Sequence, residues 1–432
     1  MSKRKWVATI RDNRWTVAEI ECNKMRINIC QLKEFNHYEI QNVDSHIDSI
    51  TEDSMEMALS NDPSGQNSEE LILALKNWLK QNKIPVKKLS FALSCPGVIT
   101  RVITIPVLSD KDLEKLLTEQ VDQYFTFNIS DYLIDYRILQ KVTEKEQERY
   151  RILLVAIPLT EWEKQWHIWS ALGFTPKVTD LNADCLARLY SRLIAKSYTG
   201  QETLEDLAIV DIGADRVEFL LLDQGVVFLY SDMEISLEEI HKLAAEFNSL
   251  TEESRDAYEN YISQADEESQ MLLENESKKQ QVHEETIEDS GFVVEKGGYQ
   301  EEPLKLDDSG LQESTGDYSF ENEQSRRLEV YQNEIEDRLF PIFNALHDYL
   351  TFFSTRHFGK SVDKIFITGE ESNIPFIETL FEKNMGIETK RGFPNQWRPT
   401  YKKRFFKKKV TSISDEQLSN YGSLYGLAMR DD

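Results

Sequence analysis

The stretch Ala208–Ser231 reads "AIVDIGADRVEFLLLDQGVVFLYS". An apolar run enters Asp211-Ile212-Gly213, a polar elbow follows, and a second apolar run leaves it. Short apolar runs bounded by Asp and Gly read as strands joined by a turn. With a glycine at the tip, backbone N–H groups can approach a bound phosphate closely. The same pattern also suits an ordinary hairpin turn in an α/β lobe. If it is half of a nucleotide site, the chain must supply the other half elsewhere.

Working outward, Trp6–Ile10, Thr16–Ile20 and Met25–Leu32 read as three strands, and a polar stretch follows through Gln66. Ser68–Gln81 carries Leu71, Leu73, Leu75, Trp78 and Leu79 at helical spacing, and Lys88–Ser94 is a strand. Strands, then a crossover helix and a further strand, make an α/β unit. Next come a strand at Val98–Ile105, a helix at Asp110–Phe125 capped by Ser109, and strands at Leu133–Leu139 and Arg151–Ile157. These four form a small domain of their own. Helices at Glu161–Ser170 and Ala183–Lys196 flank a strand at Pro176–Asp180, and Gly200–Glu205 is a linker. A second strand series then starts at Leu207. Each series opens on a hairpin, Trp6–Ile20 and Leu207–Leu229, which amounts to an internal repeat. Later come a helix at Leu328–Arg356 interrupted by Pro341, a strand at Val362–Ile367, a helix at Ile374–Lys383, a strand edge at Gly386–Lys390 and a short helix at Tyr421–Met429.

The formal charge of −26 over 432 residues excludes nucleic acid as the main partner, because phosphate backbones need a cationic face. Much of that charge lies in Thr251–Ser325, with 22 acidic and 5 basic side chains and few large apolar ones, a composition expected to stay largely disordered. Cys22, Cys30, Cys95 and Cys185 show no CxxC pairing, which argues against a disulfide framework or a zinc site. The start "MSKRKWVATI" has no signal-peptide core, and the longest apolar runs, such as "ILLVAI" at Ile152–Ile157, are too short to span a bilayer. A cytoplasmic protein is expected, reaching a membrane only through a partner or a surface patch. Trp162, Trp166 and Trp169 share one helical face, which is either lobe interior or an exposed partner groove. Lys402–Lys409, "KKRFFKKK", is either a solvated edge or a contact for an anionic surface. The histidines show no metal spacing, His347 and His357 flanking an aromatic helix, and no catalytic Ser-His-Asp or Cys-His set can be argued.

The order of segments resembles the PilM family of type IV pilus assembly proteins. The stretches that carry it are "TIPVLSDKDLEKLLTEQVDQYFTFNISDYLIDYRIL" (Thr104–Leu139), "LLVAIPLTEWEKQWHIWSALGFTPKVTDLNADCLARLY" (Leu153–Tyr190), "IVDIGADRVEFLLLDQG", "KIFITGEESNIPFIETLFEKNMGIETK" (Lys364–Lys390) and "YGSLYGLAMR" (Tyr421–Arg430). The resemblance implies an α/β fold, actin-like (ribonuclease H-like) and two-lobed, with a small α+β subdomain inserted in the first lobe. The corresponding boundaries are 1–97 and 159–205 for the first lobe, 98–158 for the inserted subdomain, 206–240 and 328–432 for the second lobe, and 241–327 for an acidic insertion. Three features depart from the family. "MEISLEEIHKL" at Met233–Leu243 lacks the Gly-Gly element that usually follows the second hairpin, the acidic tract stands where a helical subdomain of the second lobe is expected, and Thr126 stands where a proline is usual.

In such a fold one hairpin per lobe holds the nucleotide phosphates, an Asp of the first hairpin organises Mg²⁺, and a Gly-rich third element meets the nucleoside. Here the second hairpin keeps Asp211, Gly213 and Ala214, with Asp215 at the usual hydroxyl position. In the first hairpin, "TIRDNRW" at Thr9–Trp15, the usual Asp and Gly become Thr9 and Arg11. Arg11 and Arg14 are then the groups that would attract phosphate, and Asp12 is a displaced substitute metal ligand. The third element reads Gly369-Glu370-Glu371-Ser372. A degenerate site is expected, with weak or no ATP and Mg²⁺ binding and no hydrolysis.

The resemblance therefore implies a non-enzymatic adaptor of a type IV pilus or related secretion or competence platform, peripheral at the inner face of the membrane. Its partner is expected to be the cytoplasmic N-terminus of a PilN-like single-span membrane protein, held around Val98–Pro158, with the assembly ATPase a further candidate. The alternatives are a nucleotide-cycling ATPase of the same machinery and an FtsA-like division tether. The latter would end in an amphipathic helix that does not follow Arg430 here.

Overall fold

The computed structural model describes residues 3–11, 14–23, 26–36, 63–197, 204–248, 318–394, 397–401 and 415–430. These divide into two compact units, 1–238 with 340–432, and 239–339.

The first unit opens on an antiparallel meander of β1 (Lys3–Arg11), β2 (Arg14–Asn23) and β3 (Arg26–Asn36). Helix α1 (Pro63–Gln81) crosses over to β4 (Leu89–Ser94), which lies parallel to β1. Leu71, Leu75 and Leu79, four residues apart, form its buried stripe, whereas Leu73 falls on the opposite face and is exposed. The chain then builds a separate three-stranded sheet from β5 (Ile99–Pro106), β6 (Tyr132–Glu144) and β7 (Gln147–Pro158), in the order β5-β7-β6. Helix α2 (Asp110–Gln120) covers it, with the Ser109 hydroxyl accepting from the Asp112 N–H at 3.3 Å. The helix stops earlier than the apolar spacing predicts, because Val121–Tyr124 tightens into a 3₁₀ turn. Leu113, Leu117, Ile105, Ile152 and Leu154 share a core that is a distinct cluster.

Helix α3 (Leu159–Ala171), β8 (Thr179–Leu181) and α4 (Asn182–Ser197) return the chain to the first sheet. The tryptophan stripe on α3 is split. Trp169 is buried against Phe91, with ring centroids 5.3 Å apart, while Trp166 is 45 % exposed. The second sheet consists of β9 (Leu207–Ile212), β10 (Arg216–Asp223), β11 (Val226–Glu234), β12 (Lys364–Thr368) and β13 (Thr389–Arg391). Its order, β11-β10-β9-β12-β13, repeats the order β3-β2-β1-β4-β8 of the first sheet, a meander followed by two parallel strands. Every residue of β9 is buried, as expected for a strand covered on both faces.

Helix α5 (Glu238–Asn248) precedes α6 (Tyr318–Arg356), which continues through Pro341, and α7 (Ile377–Met385) joins β12 to β13. The boundaries expected at 240 and 327 thus fall inside helices. Leu237, Ile240 and Leu243 carry the apolar spacing across the first of them. The rest of the acidic insertion expected at 241–327 and the Lys402–Lys409 cluster lie outside the described residues. In the second unit, Ile240, Leu243, Ile335 and Leu339 are buried, and Arg338 bonds Glu239 at 3.1 Å.

The chain ends in β14 (Thr400–Tyr401), α8 (Asp415–Leu418) and α9 (Gly422–Ala428). Assigning all of 328–432 to the second lobe needs correction here, because β14 pairs in parallel with Asn28 and Ile29 of the first sheet. Helices α4 and α9 share one core with both sheets, including Val7 and Ala92 of the first and Ile209 and Leu220 of the second. Gly426 lies so close to the Cys185 carbonyl that a Cβ there would overlap it. Among the described residues no helix is long and apolar enough to cross a membrane.

Candidate functional site

Three strand ends and one helix start converge in the cleft between the two large sheets. Hairpin β1–β2 places Arg11 opposite Arg14 at its tip. The elbow between β9 and β10 brings Asp211 opposite Glu218, and the Gly213 N–H donates to the Arg216 carbonyl at 2.9 Å. Strand β12 ends at Thr368, beside Asp211, and leads to Gly369. Asn182 begins α4.

Arg11 points across the cleft. Its Nη2 donates to Asp211 Oδ2 and, at 3.2 Å, to Glu218 Oε2. Asn182 Nδ2 donates to the same two oxygens, at 2.6 Å to Asp211. The Tyr230 hydroxyl donates to the other Glu218 oxygen at 2.8 Å. A second bridge lies nearer the surface. Arg14 Nη1 donates to Glu371 at 2.8 Å and Glu370 at 3.1 Å, and the Thr16 hydroxyl donates to Glu370 at 3.0 Å.

Burial disfavours the Arg11 charge, but Asp211, Glu218 and Glu370 outweigh it and hold the guanidinium more firmly protonated than usual. Burial pushes the Glu218 carboxyl above its ordinary range, and Arg11 draws it part of the way back.

The two glycines of the expected phosphate elbows have local partners. A Cβ on Gly213 would collide with the Arg11 side chain. Gly369 has φ +105°, and a Cβ there would collide with the Ile212 backbone. Both positions therefore require close approach by the protein itself. Asp215 is exposed at the elbow, Ala214 is half-buried beside it, and Thr9 is buried within β1. Asp12 lies outside the described residues. The void lined by Thr9, Arg11, Asn182, Asp211 and Glu370 is about 10 Å³. Small-molecule pockets typically measure about 300–1,000 Å³. Mg-ATP does not fit this arrangement of the described residues, among which there is neither the volume nor a free cationic group facing the elbows.

Arg11, expected to attract phosphate, has its charge committed to two carboxylates. Glu218, Asn182 and Tyr230 are the residues that sequence reasoning missed. One signal was available, since Glu218 is a lone carboxylate inside the apolar run of β10.

A second concavity, about 290 Å³, lies beside the three-stranded sheet. Leu133 of β6, Val155 and Ile157 of β7, Trp162 of α3 and Leu181 of β8 give it apolar walls. Its polar end is an ion network. Arg137 pairs with Asp184 at 2.7 Å, Arg188 bonds Asp180 at 2.8 Å, and Arg430 bonds Asp180 from the other side. Arg137 Nε is buried there without a hydrogen-bond partner. Strand β6 is an edge of its sheet.

A family model described as type IV pilus assembly protein PilM matches residues 20–241, just over half of the chain. The chain belongs to the PilM family. Among solved structures, one titled as a PilM-PilN type IV pilus biogenesis complex superposes with a TM-score of 0.57 at 15 % identity, covering 98 % of this chain and 97 % of that one. The ethanolamine utilization protein EutJ from Carboxydothermus hydrogenoformans gives 0.39 at 10 % identity, covering 99 % and 89 %. The activator of 2-hydroxyisocaproyl-CoA dehydratase from Clostridium difficile, with bound ADPNP, gives 0.33 at 9 %, covering 99 % and 93 %. The fold is the two-lobed actin-like one, and the family places the chain in type IV pilus assembly.

Proposed function

We propose that this protein is a non-enzymatic adaptor of the pilus assembly platform. It holds an extended peptide from the cytoplasmic N-terminus of a PilN-like single-span membrane protein, and reaches the membrane through that partner. The observation that carries this reading is the groove beside β6. It combines apolar pockets at Leu133, Val155 and Ile157, a strand edge, and a buried Arg137 Nε–H with no acceptor. An extended peptide satisfies such a surface by main-chain pairing, with alternate side chains filling the pockets. The related complex contains a PilM and a PilN, which favours a partner of that kind. The filled cleft favours a scaffold that works without nucleotide turnover.

The test is calorimetry with a synthetic peptide of the neighbouring single-span protein's N-terminus. Binding at micromolar Kd or tighter is expected, equal with and without Mg-ATP. Val155→Arg, which puts bulk and charge into the groove, should weaken it at least about 10-fold, the equivalent of about 1.4 kcal/mol. Absence of binding at millimolar peptide, or full affinity in Val155→Arg, would refute the assignment.

A further inference from the structure

The cleft chemistry points to a ligand of the opposite charge from a nucleotide. Four carboxylates, Asp211, Glu218, Glu370 and Glu371, face two guanidiniums, Arg11 and Arg14, and each arginine bridges two of them. The inner bridge is closed to solvent, with Arg11 7 %, Asp211 3 % and Glu218 2 % exposed. Its two acids are preset by groups other than Arg11. Asn182 donates to both, and Tyr230 donates to the other oxygen of Glu218. Both Arg11 bonds leave one nitrogen, Nη2, and a guanidinium, being more weakly hydrated than the compact ammonium, enters so buried an acid pair at less desolvation cost.

We propose that the cleft is a guanidinium site, occupied in cis by Arg11, and that this internal ligand ties the first sheet to the second in the position where the fold offers a place to a nucleotide. The proposal rests on the reading that the cleft takes no nucleotide, and it adds what takes its place. Arg11 comes from β1 of the first sheet and its acids from β9 and β10 of the second, so the bond spans the cleft as a bound ligand would. Removing Arg11 leaves two buried acids with an excess of negative charge and a guanidinium-sized hole between them. Breaking a buried ion pair from one side is among the more costly single changes.

The experiment is chemical rescue on the full chain. Arg11→Gly should lower Tm by about 5 °C or more. Millimolar methylguanidinium should restore most of that loss. Methylammonium at the same concentration should not, and neither reagent should move the wild type or an Arg101→Gly surface control. If Arg11→Gly is not recovered folded, the readout becomes its refolding yield from denaturant, which methylguanidinium should raise and methylammonium should not.

An unchanged Tm in Arg11→Gly, equal rescue by the two cations, or no rescue in either readout overturns the guanidinium site. Mg-ATP separates the two readings. An upward Tm shift in the wild type refutes the nucleotide-free reading itself. A shift confined to Arg11→Gly overturns the cation assignment instead, making Arg11 a plug over a latent anion site. No Mg-ATP response in either protein, with selective methylguanidinium rescue, is the expected result.

Discussion

At the scale of a single residue, Arg11 decides what occupies the cleft. A glycine at that position would leave backbone N–H groups free to approach an anion. The arginine instead fills the space and sends a cation to Asp211 and Glu218. Glu218 has a further consequence for Cys95. Burial, reinforced by the nearby Glu218 charge, pushes the Cys95 thiol up to about 12. Burial likewise raises Cys185, which lies near Asp180. Thiolate is the reactive form, and its fraction grows only as pH approaches the pKa. Alkylation of the native protein at neutral pH should therefore reach the half-buried Cys22 and Cys30 and spare Cys95 and Cys185 until denaturant is added. Peptide mass mapping checks this. Modification of Cys95 in the native protein at the rate of Cys22 would contradict the burial described.

At the scale of elements, the strands and helices were largely legible because each announces itself locally. The β9 run and its Asp-Gly elbow, the Ser109 cap and the stripe on α1 are all patterns within ten or so residues. What escaped was set by distant neighbours. Strand β14 has only two residues and exists because β3 offers an edge. The α2 apolar spacing runs to Phe125, but the last turn winds more tightly. The packing of α9 on α4 was equally hidden, since nothing local in "YGSLYGLAMR" names Cys185 as its neighbour. There Gly426 permits near contact with the Cys185 carbonyl, and Arg188 and Arg192 bond the carbonyls of Gly426 and Met429 at 2.9 and 2.6 Å. Gly426→Val forces two helices of the shared core apart. Overpacking of this kind typically costs about 1–3 kcal/mol, and overlap with backbone places this case at the upper end. A urea denaturation midpoint equal to that of the wild type would show that α9 yields without cost.

On the scale of the whole molecule, the cleft was legible in topology but not in content. The repeated meander predicts two elbows facing each other, and the structure brings them together. Which side chains meet there depends on partners far apart in sequence. Arg11 and Asp211 are 200 residues apart, and Arg14 and Glu371 are 357 apart. No periodicity reports such a pairing. The outer bridge allows a separate measurement of how firmly the sheets are tied. Arg14 and Glu371 are 27 % and 18 % exposed, so solvent screens their attraction only in part. Single variants alone would confuse the bridge with the other contacts of each residue, such as that of Arg14 to Glu370. A double-mutant cycle of Arg14→Ala and Glu371→Ala isolates the pair, and a coupling of about 1 kcal/mol is expected for residues in direct contact within a network. The i,i+3 pair Lys164–Glu161 on α3, whose lysine is 66 % exposed, provides the reference and should couple by less than about 0.5 kcal/mol. Because the outer bridge is partly open to solvent, its coupling should fall as salt rises. If Arg14 and Glu371 couple no more strongly than Lys164 and Glu161 at low salt, the outer bridge contributes nothing to closure, and the buried Arg11 cluster is left to hold the cleft by itself.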